Sequence, residues 1–263
     1  MASSLRRWRQ RPLPEDYRGG GVVDEFTRAA SGFAERTKGR FDELDVVGFS
    51  RVSHADVIAE VGAGTGHFLS LFEDVGARLV AIDLTPAMLM QARRDHPRIE
   101  AVVGDGARLP LRSRSFSLVA SAQMFHHVWE PLPILNEMRR VVAPGGSVLV
   151  VDQIAPERFE EAVAMTELER IRDPSHASSR PLSAFRILVQ AAGMEIADER
   201  VVESRSRFSS WMWPGEFPED RIERVRSFIE SRGDETGMDF EAEDGDISFT
   251  RRRIMLLARR PEG

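Results

Sequence analysis

Between Val57 and Val151 five short apolar runs alternate with segments of helical spacing, and this alternation limits the possible folds more than any other feature of the chain. The runs are Val57 to Val61, Arg78 to Ile82, Glu100 to Val103, Ser117 to Ser121 and Ser147 to Val151. His67 to Val75, Pro86 to Asp95 and Leu132 to Val142 read as helices; the second carries proline in its first turn and the third is stopped by Pro144, Gly145 and Gly146. Consecutive strands joined through helices pair in parallel, and apolar strands of this kind need cover on both faces. The expected fold class is therefore α/β, a mostly parallel sheet between helical layers.

The flanks are less regular. Residues 1–22 are rich in arginine and end in Gly19, Gly20 and Gly21, which predicts a flexible tail. In 23–52 the apolar positions Phe26, Ala29, Ala30, Phe33, Phe41, Leu44 and Val47 recur at helical spacing with a break near Gly39, predicting two leading helices. Residues 54–152 form the core alternation. In 153–193 a charged helix over 156–173, a loop from Pro174 to Pro181 and a helix from Leu182 to Ala192 predict a helical insert, placed over the sheet as a lid. Residues 194–263 add strands at Glu195 to Glu203 and Ile247 to Leu257, separated by a helix over Arg221 to Ser231 and an acidic loop from Asp234 to Asp246. The whole of 23–263 reads as one domain.

Composition narrows the class. No run approaches the ~20 apolar residues of a membrane-spanning helix. A net charge of −6 opposes general nucleic-acid binding, which needs a positive surface. The absence of cysteine rules out disulfides and thiolate metal sites and fits a cytoplasmic protein, and the acidic loop lacks a compact oxygen-ligand spacing, so no metal is expected. The partner expected is a small molecule, with the chain as monomer or homodimer.

The chemistry centres on Glu60-Val-Gly62-Ala63-Gly64-Thr-Gly66, where the first strand turns into the first helix. Glycines at that turn let backbone approach a nucleotide closely. A dinucleotide site has G-x-G-x-x-G, whereas here the spacing is G-x-G-x-G and a carboxylate stands two places before the first glycine. Glu60 would repel a pyrophosphate but suits a cofactor bearing an amino cation and a sulfonium, which favours S-adenosylmethionine. Asp83 ends the second strand 17 residues beyond Gly66, in place to accept hydrogen bonds from both ribose hydroxyls; as an alternative it caps the helix from Pro86. Gly104-Asp105-Gly106-Ala107 follows the third strand, where Asp105 can accept from an adenine amino group or simply shape a turn. Ser121-Ala-Gln123-Met-Phe125-His126-His127 leaves the fourth strand on the sheet edge at which open parallel sheets bind ligands.

These segments resemble the class I methyltransferases, especially the small-molecule branch called type 11. EVGAGTG, AIDLTPAML, GDGARLPLRSRSFSLV, SAQMFHHVWEP and EMRRVVAPGG are similar to that family's five motifs, in order, over about residues 55–151. DPSHASSRPLSAFRILVQAAGMEI resembles the stretch joining insert and sixth strand, while residues 1–50 match only loosely. The resemblance implies a Rossmann-like sheet of seven strands with the last one antiparallel, and S-adenosylmethionine as cofactor with S-adenosylhomocysteine as product. It also implies that Glu60, Gly62, Ala63, Gly64, Gly66, Asp83, Leu84, Met88, Asp105, Gly106, Ala107, Ser121 and Gln123 surround the cofactor. Ser117 departs from the pattern, which has aspartate there; little consequence is expected.

Methyl transfer needs two reactants held at attack distance, and an acidic acceptor also needs a base. His127, His126 and His176 are the candidate bases, each with an ordinary local role as the alternative, and His67 is expected to be structural or near the cofactor carboxylate. Phe33, Phe125 and Trp213 are candidate walls of the acceptor pocket, with core packing as the alternative. The expected activity is methyl transfer to oxygen, nitrogen or carbon of a small metabolite. Two rivals are a non-catalytic relative that binds S-adenosylmethionine or S-adenosylhomocysteine and, with less support, a nicotinamide-dependent oxidoreductase.

Overall fold

In strand β1 (Val57–Val61) alternate residues go to opposite apolar clusters, Ala59 and Val61 to one, Ile58 to the other. The same division separates Val80 and Ile82 from Leu79 and Ala81 in β2 (Arg78–Asp83). Period-2 side chains that are apolar on both faces require cover on both, as expected for the parallel core. The computed structural model describes residues 39–212 and 217–262, together with Thr27, Gly32 and Thr37. The expected tail, most of the first leading helix before Gly39, and with them Phe26, Phe33 and Trp213, lie outside the described residues.

Strands β3 (Ile99–Val103), β4 (Phe116–Ala122), β5 (Val142–Gln153), β6 (Glu195–Arg207), β7 (Glu241–Glu243) and β8 (Asp246–Arg259) complete one sheet in the order β3-β2-β1-β4-β5-β8-β6. The first five strands pair in parallel, and β8 runs antiparallel between β5 and β6. The antiparallel last strand is as expected, but among the described residues the sheet has eight strands rather than seven. The extra strand, β7, forms a hairpin with β8 out of the acidic stretch read as a loop, turning at Asp244 and Gly245, both at positive φ. Strands β6 and β8 also run several residues past the end of β5, as far as the pair Arg207 and Ser248.

One face of the sheet is covered by α4 (Pro131–Val141) and α6 (Leu182–Ala191), through Ile134, Leu135, Met138, Phe185 and Val189. The other is covered by α1 (Val46–Ser50), α2 (His67–Ser70) and α3 (Pro86–Asp95), through Phe49, Phe68, Leu69 and Leu89. The expected helix from His67 to Val75 is broken. After α2 the chain tightens into a 3₁₀ turn at Glu73–Val75, which lets Phe72 join Phe68 and Leu69 in burial against the sheet. Helix α5 (Phe159–Arg172) packs with α7 (Phe208–Trp211) and α8 (Glu219–Arg232) in a third cluster around Phe249, beside the β8 overhang. Ser117 Oγ accepts the Val57 N–H at 3.2 Å and so ties β4 to β1, a role that its short side chain fills from inside the sheet.

Candidate active site

The carboxyl ends of β1, β2, β4 and β5, the turns that leave them and the end of α5 enclose one cleft of about 1120 Å³. Its floor is the glycine turn. Gly62 and Ala63 donate backbone N–H bonds to Ile82 O at 2.8 and 3.0 Å, which fold the turn back over β2. Gly62, Gly64 and Gly66 all have φ between +52° and +80°, where a side chain strains the backbone. A Cβ on Gly62 would lie 2.6 Å from Met124 Cγ and Sδ, and one on Gly66 would press on Ala92 and Ile99. Gly66 therefore serves the packing of α2 on the sheet and is not part of the cleft wall, whereas Gly62, Ala63 and Gly64 are.

Glu60 is 1% exposed, and its Oε2 has no partner among the described residues although the residue lines the cleft. Burial, with Asp83 nearby, holds its carboxyl well above the usual carboxylate range. Asp83 accepts the Gly64 N–H at 2.8 Å on Oδ2 and the Thr85 N–H at 2.7 Å on Oδ1. Both oxygens keep a lone pair, so the carboxylate can shape the loop and still accept two hydroxyls. Burial also raises Asp83, against those hydrogen bonds. Asp105 closes its own turn through the Ala107 N–H at 2.8 Å. The connection beyond is pinned by α4, where Glu137 takes the Leu109 N–H and the Arg140 guanidinium donates to Leu109 O and Leu111 O. Leu84, Met88, Asp105, Gly106 and Ala107 all line the cleft.

The turn after β4 carries the histidines. Gln123 sits at φ +53° and lines the cleft with its Nε2 unpartnered among the described residues. His126 Nδ1 lies 2.6 Å from Asp152 Oδ1, and Asp152 also accepts the N–H groups of Phe125 and Gln153 at 2.7 and 2.8 Å. Burial holds His126 well below the ordinary imidazole range, helped by its neighbours His127 and His176, and pushes Asp152 up to about 6. A neutral imidazole donating Nδ1–H to the carboxylate follows. His127 Nδ1 reaches Ser175 Oγ at 3.0 Å, and Ser175 Oγ donates to Asp173 Oδ1 at 2.6 Å. His176 is 2% exposed, bonded through Nε2 to Ser179 Oγ at 3.1 Å, and burial takes it down to about 4. The ring centroids of His126 and His176 are 5.4 Å apart, and those of His126 and His127 4.2 Å. The three candidate bases, adjacent His126 and His127 and the distant His176, thus stand in one cluster on the cleft wall.

The segment after α5 is fastened to this turn. Ala177 N–H donates to His126 O at 2.8 Å, and the Arg180 guanidinium donates to Phe125 O and Val128 O. His67, also on the wall, is bonded through Nδ1 to Thr37 Oγ1 at 2.8 Å. Two expectations are corrected here. Phe125 does not line the cleft; its N–H and C=O are anchored by Asp152 and Arg180, which turns the ring inward to pack edge-on against Phe185. Ser121 is buried inside β4 short of the wall, with its hydroxyl unpartnered among the described residues. Residues not singled out in the sequence are Asp152, Asp173, Ser175 and the arginines Arg40, Arg172 and Arg251 on the wall. Asp152 had a signal, an acid ending an apolar strand as Asp83 does; the arginines, scattered along the chain, had none.

Strand order, glycine turn and strand-end acids together define a class I methyltransferase. The methyltransferase-domain family matches residues 59–150. That match, with the similar proteins and structures, supports a class I S-adenosylmethionine-dependent methyltransferase of the type 11 family. The uncharacterized methyltransferase YcgJ of Bacillus subtilis is 25% identical over 183 residues, 68% of this chain and 72% of that protein. The demethylmenaquinone methyltransferase of Renibacterium salmoninarum is 36% identical over 95 residues, 36% of this chain but only 40% of its own length. A Bacillus halodurans protein assigned to the methyltransferases superposes with a TM-score of 0.76 at 27% identity, over 82% of this chain and 96% of its own. No helix among the described residues is long and apolar enough to cross a membrane.

Proposed function

We propose that this methyltransferase acts on oxygen, nitrogen or carbon of a small molecule held beside the histidine cluster. Bound S-adenosylmethionine supplies a methyl group activated by its sulfonium. The cofactor reading rests on one observation: Glu60 presents a buried oxygen with no described partner to a cleft floored by glycines at positive φ. A buried carboxyl oxygen without a partner is costly, and a cationic amino group satisfies it. Asp83 would take the ribose hydroxyls, Asp105 the adenine amino group, and Leu84 and Met88 would pack on the adenine.

The rest of the chain's work is positioning. Holding two reactants in line contributes roughly 7 to 11 kcal/mol. His127 is the base assigned to an acceptor that must lose a proton, because Ser175 and Asp173 orient its ring through Nδ1 on the wall of the cleft. The insert, through the segment from Asp173 to Arg180, acts as a lid fastened to the histidine turn and excludes water.

Calorimetric titration of the folded protein with S-adenosylmethionine and S-adenosylhomocysteine tests the reading. Binding of both is expected, and binding of neither overturns it. Turnover on an acceptor panel separates an enzyme from a relative that only binds the cofactor.

A further inference from the structure

Residues of the cleft follow the strand order of the sheet, and their charge changes sign along it. Asp105 follows β3, Asp83 ends β2 and Glu60 lies in β1; beyond the central gap come the histidines after β4, Gln153 at the end of β5, and Arg251 in β8. Arg251 lies two residues beyond Arg253, which pairs with Gln153, so it stands just past the carboxyl end of β5. Arg172, the last residue of α5, lines the cleft as well, and so does Arg40, whose C=O accepts from Arg253 of β8 at 2.8 Å. At roughly 4.8 Å per strand, β8 is about 14 Å from β1, well beyond a single hydrogen bond.

The three guanidiniums are not equally committed. Arg172 is bonded to Glu169 at 2.9 Å and stacks over the Trp211 ring at 5.0 Å. The side chains of Arg40 and Arg251 have no hydrogen-bond or ion-pair partner among the described residues. The carboxyl groups facing them are already engaged: Glu169 by Arg172, Asp173 by Ser175, and Asp152 by Phe125, Gln153 and His126. Arg253, beside them, is taken by Glu43 and by Arg40 O. Burial and the neighbouring charges of Arg251, Arg172 and Arg253 pull Arg40 down to about 9. Guanidiniums keep their protons, so this crowding is repulsion that a bound anion would relieve.

We infer that Arg40 and Arg251, with Arg172 behind them, form an anion site for the methyl acceptor, which therefore carries a carboxylate or a phosphate. A guanidinium fork matches either group with two parallel hydrogen bonds. The inference rests on the methyltransferase reading of the cleft, and through Arg251 it places the anion on the β8 side of the sheet, with Asp83 and Asp105 beyond β1 on the other. The histidine cluster then lies between anchored anion and cofactor, where the reacting atom must be.

The test uses the full chain saturated with S-adenosylhomocysteine, titrated by calorimetry with inorganic phosphate, with benzoate and with neutral benzamide. At least one anion is expected to bind the saturated protein and benzamide to bind far more weakly. Preference for phosphate marks a phosphorylated acceptor, and preference for benzoate a carboxylated one. Arg251→Gln and Arg40→Gln should each weaken the anion about tenfold or more, with Arg251→Lys intermediate and S-adenosylhomocysteine affinity unchanged in all three. The lysine variant covers the case in which a glutamine variant fails to fold. The inference is overturned if neither anion binds, if benzamide binds as well, or if the variants leave anion affinity intact. It is equally overturned if they weaken S-adenosylhomocysteine instead, since the cluster would then hold the cofactor's own carboxylate. Failure of S-adenosylhomocysteine to bind the wild-type chain defeats the underlying reading, and the anion titration without it then decides the cluster separately.

Discussion

His126 Nδ1 stands 2.6 Å from Asp152 Oδ1, and the same carboxylate holds the Phe125 and Gln153 N–H groups. One buried acid at the end of β5 thus sets both the tautomer of His126 and the path of the turn that carries His127. Asp152 is raised to about 6 and His126 held low by burial, so falling pH places the first proton on the carboxylate side.

A protonated Asp152 is a poorer acceptor for three donors, and the turn loosens. Activity is therefore expected to fall as pH drops below about 6, on kcat more than on KM. Asp152→Asn puts an NH₂ opposite a backbone N–H, and a shift of about 1 Å costs on the order of 10²-fold in kcat. Nitrogen NMR of the wild-type imidazoles at pH 6.5 checks the pair directly: His126 should appear as the neutral Nδ1–H tautomer. A charged His126 ring at that pH would contradict the assignment.

Gly62→Ala tests the floor of the cleft. Its φ of +73° strains any L side chain by roughly 1 to 2 kcal/mol, and the new Cβ meets Met124 at 2.6 Å. Thermal unfolding should drop by several degrees and S-adenosylhomocysteine affinity should fall with it. Adding Met124→Ala removes the contact but not the backbone strain, so the double variant is expected to recover only part of the binding. Full recovery would show that the glycine is required for space alone.

The half of the cleft proposed for the cofactor was legible because its residues are neighbours in sequence. A glycine turn and strand-end acids announce their places once strands are recognised, and Glu60, Asp83 and Asp105 indeed open on one cleft. The half proposed for the acceptor comes from the turn after β4, the end of α5 and the overhang of β8, segments that only tertiary packing brings together. His126, His127 and His176 were visible as candidates, but their contact and the carboxyl groups that orient them were not. Phe125 was misread because an aromatic after a strand end can point either way, and two backbone hydrogen bonds decide it.

His127→Gln separates a base from a packing residue. The ring is oriented through Ser175 to Asp173, and glutamine can keep a hydrogen bond to Ser175 without accepting a substrate proton near neutral pH. For an acceptor that must be deprotonated, kcat is expected to fall by about 10² to 10⁴ with KM and S-adenosylhomocysteine affinity within a few-fold. Raising the pH, which ionises the acceptor without help, should restore part of the rate. A matched loss in KM with no rescue at high pH would assign His127 to binding alone.

Glu60→Gln sets folding against binding. Burial and Asp83 raise the Glu60 carboxyl in the folded, ligand-free protein above its unfolded value. A raised acid favours the folded state below the ordinary carboxylate range and loses that contribution as pH rises through the folded value. Ligand-free Glu60→Gln lacks this loss, so its melting temperature should gain on the wild type as pH increases. The cofactor's amino cation favours the ionised carboxylate, so wild-type binding releases a proton and tightens with rising pH over the same range. Replacing the charge removes that dependence and should weaken S-adenosylmethionine by about 10- to 100-fold, the effect of one charge-assisted hydrogen bond. Melting curves and titrations in buffers of different ionisation enthalpy read both effects. A variant that binds the cofactor as tightly as the wild type, with the same proton release, would remove Glu60 from the amino group's site.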